Sequence, residues 1–510
     1  MPDLTIPHLL RRNRVEHGDM AVVVDGDRSI THAELDDTSH RLAARLVGAG
    51  VGKGDRVGLM MPNGIEWAVT AMAVMRIGAV LVPLSTLLRP PELLDQLDTA
   101  SVGHLVTARE YRGRSYLDEL ESVAPNLYER LAAGDRHPAV PFLRHLWAPD
   151  EIPEDAAPAA LVTALDDLVR PADDMAILFT SGSRGAPKGV IHTHANALGA
   201  TASGLVARCV GPGERLYIPM PFFWMGGFGG GLLTVVVAGA TLLTEADPRP
   251  ESTLRFLERE RVTLFRGWPD QAARLAAHPA FATTDLSSLR GASLPGVLPP
   301  DQRPRPGARA NLFGMTESFG PYCGDRLDID LPPDEFGSCG RPFEGVEVRI
   351  VDGEIHLRGP NLMRGICGRP RSTVFTTDGW YPTGDLGRID EQGYLWYSGR
   401  VDDMFKVKGA TVYPSEVEAA LRSLPEVTDA HVTEVTSEDG ASRVGALVVA
   451  AVGADVLAEA VRARLSSFKV PTVWRVVPGR DAVPLMATGK VDKPRLQELL
   501  QDAASAPGSA

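Results

Sequence analysis

A chain of 510 residues, 44% hydrophobic and 23% charged, exceeds one compact core and predicts two to four domains of a globular protein. Its net charge of −13 offers no basic face to a nucleic-acid backbone, although a small anionic ligand needs only a locally positive pocket. Four cysteines (Cys209, Cys323, Cys339, Cys367) without Cys-x-x-Cys spacing, no signal-peptide core and no long apolar span predict a cytoplasmic protein with no membrane span.

The first 130 residues alternate helix and strand. In "SITHAELDDTSHRLAARLVGAGVG", Thr31 is placed as an N-cap with Glu34 three residues on, and Ile30 and Leu35 form a staple. Gly48 and Gly50 stand where that helix should stop. "DRVGLMM", "NGIEWAVTAMAVMRIGA" and "VLVPL" read as strand, helix and strand, a βαβ unit that implies parallel pairing. Residues 148–160, acidic and rich in Pro and Ala, read as a surface linker. The strand "DMAILFT" then runs into the glycine-rich loop "SGSRGAPKG", followed by a helix from about Ala195. The run "LLTVVVAGATLL" reads as a core strand region.

Near residue 337 the period changes. Asp352-Gly353 predicts a tight hairpin in "VEVRIVDGEIHLRG", and a second hairpin turns near Gln392-Gly393. "PSEVEAALRSL" reads as a helix with Ser415 capping and Glu418 closing a capping box. The fold class is α/β: a large N-terminal domain of helix-flanked mixed sheets over residues 1–400, with a β-rich subdomain at about 330–400. A hinge at 401–402, a small mobile α+β lid at 403–500 and a frayed tail at 501–510 complete the division.

The loop lacks the Gly-Lys-Ser/Thr ending of a P-loop, and "GGFGGG" misses the dinucleotide spacing because Leu232 stands where a third glycine belongs. What gives the loop meaning is the ordered company of "NLFGMTE", "GWYPTGD", "GRVDDMFKVKGATVYPSEVE" and "ATGKVDKPRL". This set resembles the adenylate-forming superfamily: acyl-CoA synthetases, aryl-acid ligases, adenylation domains and beetle luciferases. The resemblance extends over nearly the whole chain.

The resemblance implies ATP, Mg²⁺ and coenzyme A as cofactors and co-substrates, and a role for each matching residue. Thr180, Ser181, Gly182, Ser183, Gly185 and Lys188 would hold the outer phosphates of ATP. Phe313 would stack on adenine, where tyrosine is commoner in the family. Thr316 would touch the α-phosphate and Glu317 would hold Mg²⁺. Asp385 and Arg400 would grip the ribose, and Lys490 would bridge the substrate carboxylate and α-phosphate. Asp402 would be the hinge, and Gly409 would line the pantetheine tunnel. A carboxylate would attack MgATP at the α-phosphorus, and the lid would then swing so that the CoA thiolate meets the acyl-adenylate.

Phe222, Trp224, Met225, Gly229, Gly230, Gly291, Ala292 and Phe319 would line the acyl pocket. The uncharged stretch "PFFWMGG" lacks the aspartate that amino-acid-adenylating relatives use for an ammonium, which points to an apolar, bulky acid. Trp224 departs from the histidine of many acyl-CoA synthetases. His192 and His194 read as structural, and Lys406, Lys408 and Lys469 as solvated surface before CoA-phosphate contacts. Arg184 replaces a usual threonine or serine, and three readings stay open: it faces solvent, adds a phosphate contact, or blocks the outer phosphates of ATP. In the last case the chain would take acyl-adenylate from a partner ligase. The resemblance also leaves room for a carrier-protein thiol as acceptor in place of CoA, or for a ligand-binding protein without turnover.

Overall fold

Thr31 Oγ1 accepts from Glu34 N at 3.1 Å and Glu34 Oε2 from Thr31 N at 2.8 Å, so the expected capping box starts the helix His32–Gly48. The chain is described here from a computed structural model that covers residues 4–182, 185–407, 410–436, 442–462, 464–465, 469–486 and 489–504. It divides into two units: Met1–Val348 with Leu357–Tyr381 and Glu391–Leu395, and Arg349–His356 with Pro382–Asp390 and Trp396–Ala510.

Two mixed sheets build the first unit. One has five strands in the order Leu264–Phe265, Arg215–Tyr217, Thr241–Thr244, Ala21–Asp25 and Arg28–Thr31. The other has seven, in the order Gly365–Ile366, Gly185–Thr193, Asp174–Gly182, Val80–Pro83, Arg56–Met60, His104–Thr107 and His145–Trp147. Arg56–Met60 and Val80–Pro83 pair in parallel, as the βαβ reading requires. Their connecting helix, Ile65–Arg76, packs on strands of both sheets and is buried from Trp67 to Arg76, as an all-round apolar helix should be. Arg76 closes it inside the protein, with Nη2 on Asp166 Oδ2 at 2.6 Å and Nη1 on Ser39 Oγ at 2.8 Å and Asp36 Oδ1 at 3.1 Å.

Three segments depart from the sequence reading. The stretch read as a loop, "SGSRGAPKG", belongs largely to strands: Asp174–Gly182 takes in its first residues and Gly185–Thr193, antiparallel to it, takes in its last, while the helix starts at His194, where one was expected from about Ala195. "LLTVVVAGATLL" is not a strand region through its length. Phe228–Leu233 is a π-helical turn and Thr234–Ala238 an α-helix; Gly239 at φ +67° then turns the chain into the strand Thr241–Thr244. The linker 148–160 is tied down, since Ile152 is 1% exposed and Ala157 N donates to Ala44 O at 2.9 Å.

In the second unit, Asp352 (φ +50°) and Gly353 (φ +85°) make the expected left-handed hairpin turn between Glu347–Val351 and Glu354–Arg358. The sheet order is Glu347–Val351, Glu354–Arg358, Tyr381–Ile389, Leu395–Arg400. A second sheet orders Val427–Thr436, Ser442–Ala450 and Val473–Val477, with helices Pro414–Arg422, Ala454–Arg462 and Lys493–Ala504. Val417, Leu421, Val444, Ala446 and Leu457 fill part of its core. The box expected at Ser415 does not form. Tyr413 is the N-cap with Pro414 in the first turn, Ser415 Oγ donates to Ser398 O, and Glu418 Oε1 accepts from Val432 N at 2.9 Å. Among the described residues no helix is long and apolar enough to cross a membrane.

Candidate active site

The glycine-rich stretch expected to hold phosphate falls on two paired strands. Strands Asp174–Gly182 and Gly185–Thr193 pair in a register that sets Lys188 opposite Thr180 and Gly185 opposite Gly182, with a bulge between Gly185 and Lys188. Lys188 and Thr180 are both half-buried. Ser181, Gly182 and Gly185 take their backbone places in these two strands, whereas Ser183 and Arg184 lie outside the described residues. Deeper in the second strand, His192 is fully buried, with Nδ1 2.8 Å from Asn196 Nδ2 and its ring edge-on to Phe319 at 4.8 Å. Burial pushes His192 down to about 3, and His194 likewise to about 3, so both are neutral. His194 Nδ1 accepts from Ile6 N at 3.3 Å, in accord with a structural role.

"FGMTE" forms the strand Phe313–Met315 and a single 3₁₀ turn, Thr316–Ser318. Phe313 is half-buried and meets Tyr322 edge-on at 5.6 Å. The turn buries Glu317 to 6% exposure, where Tyr381 Oη donates to Glu317 Oε1 at 3.2 Å. No group of three or more His, Cys, Asp or Glu stands together among the described residues. A single buried carboxylate such as Glu317 fits the demands of Mg²⁺, a hard cation that takes one or two protein carboxylates and fills its remaining positions with water and substrate phosphate oxygens.

The residues expected to line an acyl pocket are set by a clamp and an aromatic chain. Asn63, from "MPNG", accepts from Phe222 N at 2.7 Å and donates to Met220 O at 2.9 Å, fixing the segment that leads into Trp224. Trp67 meets Phe222 at 5.3 Å and Phe228 at 5.7 Å, and Phe228 meets Phe319 at 6.0 Å. Phe222, Phe319 and Ala292 are buried; Trp224 and Met225 are half-buried, and Trp224 lies edge-on to Trp268 at 5.8 Å. The glycines differ among themselves. A Cβ on Gly229 would fall 2.6 Å from Met225 Sδ, whereas one on Gly230 would meet nothing nearer than 3.9 Å and one on Gly291 nothing within 4 Å.

In the second unit, Arg400 Nη1 donates to Asp385 Oδ1 at 2.9 Å and to Thr383 O at 3.0 Å. Gly384, at φ +74°, has no side chain because a Cβ there would sit 2.8 Å from Arg400 Nη2. Asp402 falls in the 3₁₀ turn Val401–Asp403. Gly409 and Lys408 lie outside the described residues. Lys490 is exposed on a short turn in which Met486 N donates to Lys490 O at 2.8 Å. Lys469 is paired with Glu416 at 2.6 Å.

Tyr381 and Asn63 escaped the sequence reading, although both lie inside quoted motifs, so motif membership was the available signal.

Residues 10–367 match the AMP-binding enzyme family and residues 416–490 its C-terminal domain. A Mycobacterium tuberculosis protein named 3-[(3aS,4S,7aS)-7a-methyl-1,5-dioxo-octahydro-1H-inden-4-yl]propanoyl:CoA ligase is 35% identical, over 97% of this chain and 99% of its own. A feruloyl-CoA synthase from an Amycolatopsis species is 32% identical over 92% and 93%. In fold, the chain is similar to an anthranilate CoA ligase crystallised with anthranoyl-AMP, with a TM-score of 0.80 at 23% identity and 98% of each chain covered.

Proposed function

The chain belongs to the AMP-binding enzyme family as an AMP-forming acid–thiol ligase of the acyl-CoA synthetase type, and from that premise we propose that its acid has a bulky, apolar, ring-bearing body. The carrying observation is the acyl-pocket set: Phe222, Trp224, Met225 and Phe319 are apolar, none is acidic, and Gly230 and Gly291 leave open space where a side chain would begin. An amino acid would leave its ammonium desolvated and unpaired against these side chains. The ring acids in the names of the ligase and synthase relatives agree with that reading.

In the proposed reaction the acid's carboxylate attacks the α-phosphorus of ATP and pyrophosphate leaves. Loop donors and Lys188 hold the outer phosphates, Thr316 meets the α-phosphate, and Lys490 neutralises charge between carboxylate and phosphorus. Mg²⁺ on Glu317 would offset phosphate charge. Phe313 stacks on adenine, while Asp385, oriented by Arg400, accepts from the ribose hydroxyls. In the second half-reaction the CoA thiolate attacks the acyl carbonyl and AMP departs. Asp402 and Gly409 are assigned to the hinge and the pantetheine path. We assign the cytoplasm as the setting, where a reducing environment keeps the four free thiols reduced.

The test is a panel of acids offered with ATP and CoA, scoring pyrophosphate exchange and thioester formation separately. Ring-bearing acids should give the highest kcat/KM; the reading fails if acetate or propionate leads. Arg184 favours a second reading, in which the outer-phosphate site is filled and only preformed acyl-adenylate reacts. Robust exchange in the native protein removes that reading, and absent exchange that Arg184→Thr restores establishes it.

A further inference from the structure

Arg208 ends the short helix Leu205–Arg208 and is only 6% exposed. Its Nη1 donates to Thr234 Oγ1 at 2.8 Å, and Thr234 Oγ1 passes a hydrogen bond on to Gly229 O at 2.7 Å. One Nη1 hydrogen is therefore used on Thr234, whose hydroxyl in turn holds the π-helical turn that carries Gly229 and Gly230. The other edge of the guanidinium, Nε and Nη2, bonds to nothing among the described residues, and no carboxylate there pairs with Arg208. Desolvation lowers the group to about 10, which leaves it charged at neutral pH.

Met225, assigned above to the acyl pocket, stands beside that edge. Nη2 lies 3.5 Å from where a Cβ would stand on Gly320, the residue after Phe319, and Met225 Cγ lies 3.9 Å from the same point. A Cβ on Gly204 would stand 3.5 Å from Nε. Phe343 Cε2 lies 3.4 Å from the same point on Gly204, so the side near Gly204 is walled by an aromatic ring and the side near Gly320 carries no side chain of its own. Nearby, Arg266 shows the contrasting case of an arginine spent on backbone, donating to Ala292 O and, at 2.6 Å, to Arg208 O.

A buried cation without a counter-charge carries a desolvation cost that a bound acceptor would offset. Nε and Nη2 form a planar fork, the geometry that receives a carboxylate through two parallel bonds or a carbonyl through one. Resting on the bulky-acid reading above, we infer that Arg208 determines specificity: the preferred substrate carries, on its apolar body, a second oxygen acceptor, a ring ketone or a carboxylate, that docks on the Nε–Nη2 edge.

The experiment compares three matched acids with ATP and CoA: 3-cyclohexylpropanoate, its 4-oxo derivative and its 4-carboxy derivative. A hydrogen bond to a charged donor predicts a kcat/KM about 10- to 100-fold above the parent for the ketone, the carboxylate or both, and the two arms tell them apart. Arg208→Met should collapse that ratio to within about threefold, and Arg208→Lys should keep part of it, because an ammonium still donates. Equal efficiency of all three acids in the native enzyme overturns the inference and leaves the bulky-acid reading intact. A parallel loss for all three in Arg208→Met, with the ratio preserved, overturns it as well. No turnover of any of the three overturns the bulky-acid reading and this inference together. Should Arg208→Met not fold, the native ratio and Arg208→Lys decide the matter.

Discussion

Arg76 and Arg208 are both buried arginines of the first unit, and their surroundings could hardly differ more. Arg76 is 2% exposed between Asp166 and Asp36, with Ser39 completing its bonds. Arg208, 6% exposed, has a threonine hydroxyl. Burying a charge is tolerable when its field and its donors are met locally, which describes Arg76. Where they are not met within the fold, the remaining donors turn to whatever reaches them from outside the chain, water or ligand. The difference separates a cation that locks a helix between two sheets from one that waits for a ligand.

The contrast extends to buried groups that solve the same problem by shedding a proton. Burial lowers His32 and His104 to about 4, and His192 and His194 to about 3. These folded-state values lie below the ordinary 6.5, so the unfolded chain takes protons first as the pH drops. The stability that neutral histidine supports is complete above about pH 6.5 and is lost as pH falls from there toward 3–4. Each histidine contributes a slope of about 1.4 kcal/mol per pH unit inside that window. Urea midpoints should hold steady near pH 7.5 and fall steeply between pH 6 and 5. A flat profile over that range would place these imidazoles in wetter sites than the structure does.

Breaking the compensated pair comes next in size. Asp166→Ala strands the Arg76 guanidinium and should cost about 3 kcal/mol in chemical denaturation. A cost below about 1 kcal/mol would mean that Asp36 alone suffices and would erase half of the comparison. The exposed Lys490 tests the opposite extreme, a cation with no burial cost. Lys490→Ala should slow acyl-adenylate formation about 100-fold while thioester formation from supplied adenylate changes by less than about threefold. Equal losses in both half-reactions would remove its assignment to the first step. The smallest effect is on stability at Arg208. Arg208→Met exchanges an uncompensated charge for an apolar chain of similar length and should shift unfolding by no more than about 1 kcal/mol, in the stabilising direction. A loss as large as that of Asp166→Ala would give Arg208 the same structural role as Arg76.

What the sequence revealed was local chemistry. Thr31 with Glu34, and Asp352 with Gly353, each settle their geometry within a few residues, and both behave as read. The order of motifs likewise announced the family, because each motif is short and its spacing loose. Contacts between distant positions were not legible. Tyr381 reaches Glu317 across 64 residues, and Arg208 reaches Thr234 across 26. Where the reading went wrong, a nearby competitor had outweighed the local signal. Gly185–Thr193 contains Gly, Pro and Lys and reads as loop, yet Val190 and Ile191 pair opposite Leu178 and Ile177 and draw the segment into the sheet. "TVVVA" is rich in β-branched residues and still forms helix, because all-round burial at Val235 and Val236 outweighs propensity. Pro414 in the first turn moved the N-cap to Tyr413, which freed Ser415 for another bond.

The π-helical turn Phe228–Leu233 carries a consequence for how such a pocket diversifies. A π turn holds one residue more than the α-helical path it replaces. Removing that residue would restore an ordinary helix without cutting it, while rotating Gly229 and Gly230 relative to Phe319 and withdrawing Gly229 O from Thr234 Oγ1. The wall proposed to stand beside the acyl group can therefore change shape by gain or loss of a single codon, with the flanking helix and the strand Thr241–Thr244 left in register. Substrate range in this lineage has a path of small insertions and deletions open to it, alongside the slower exchange of one side chain for another.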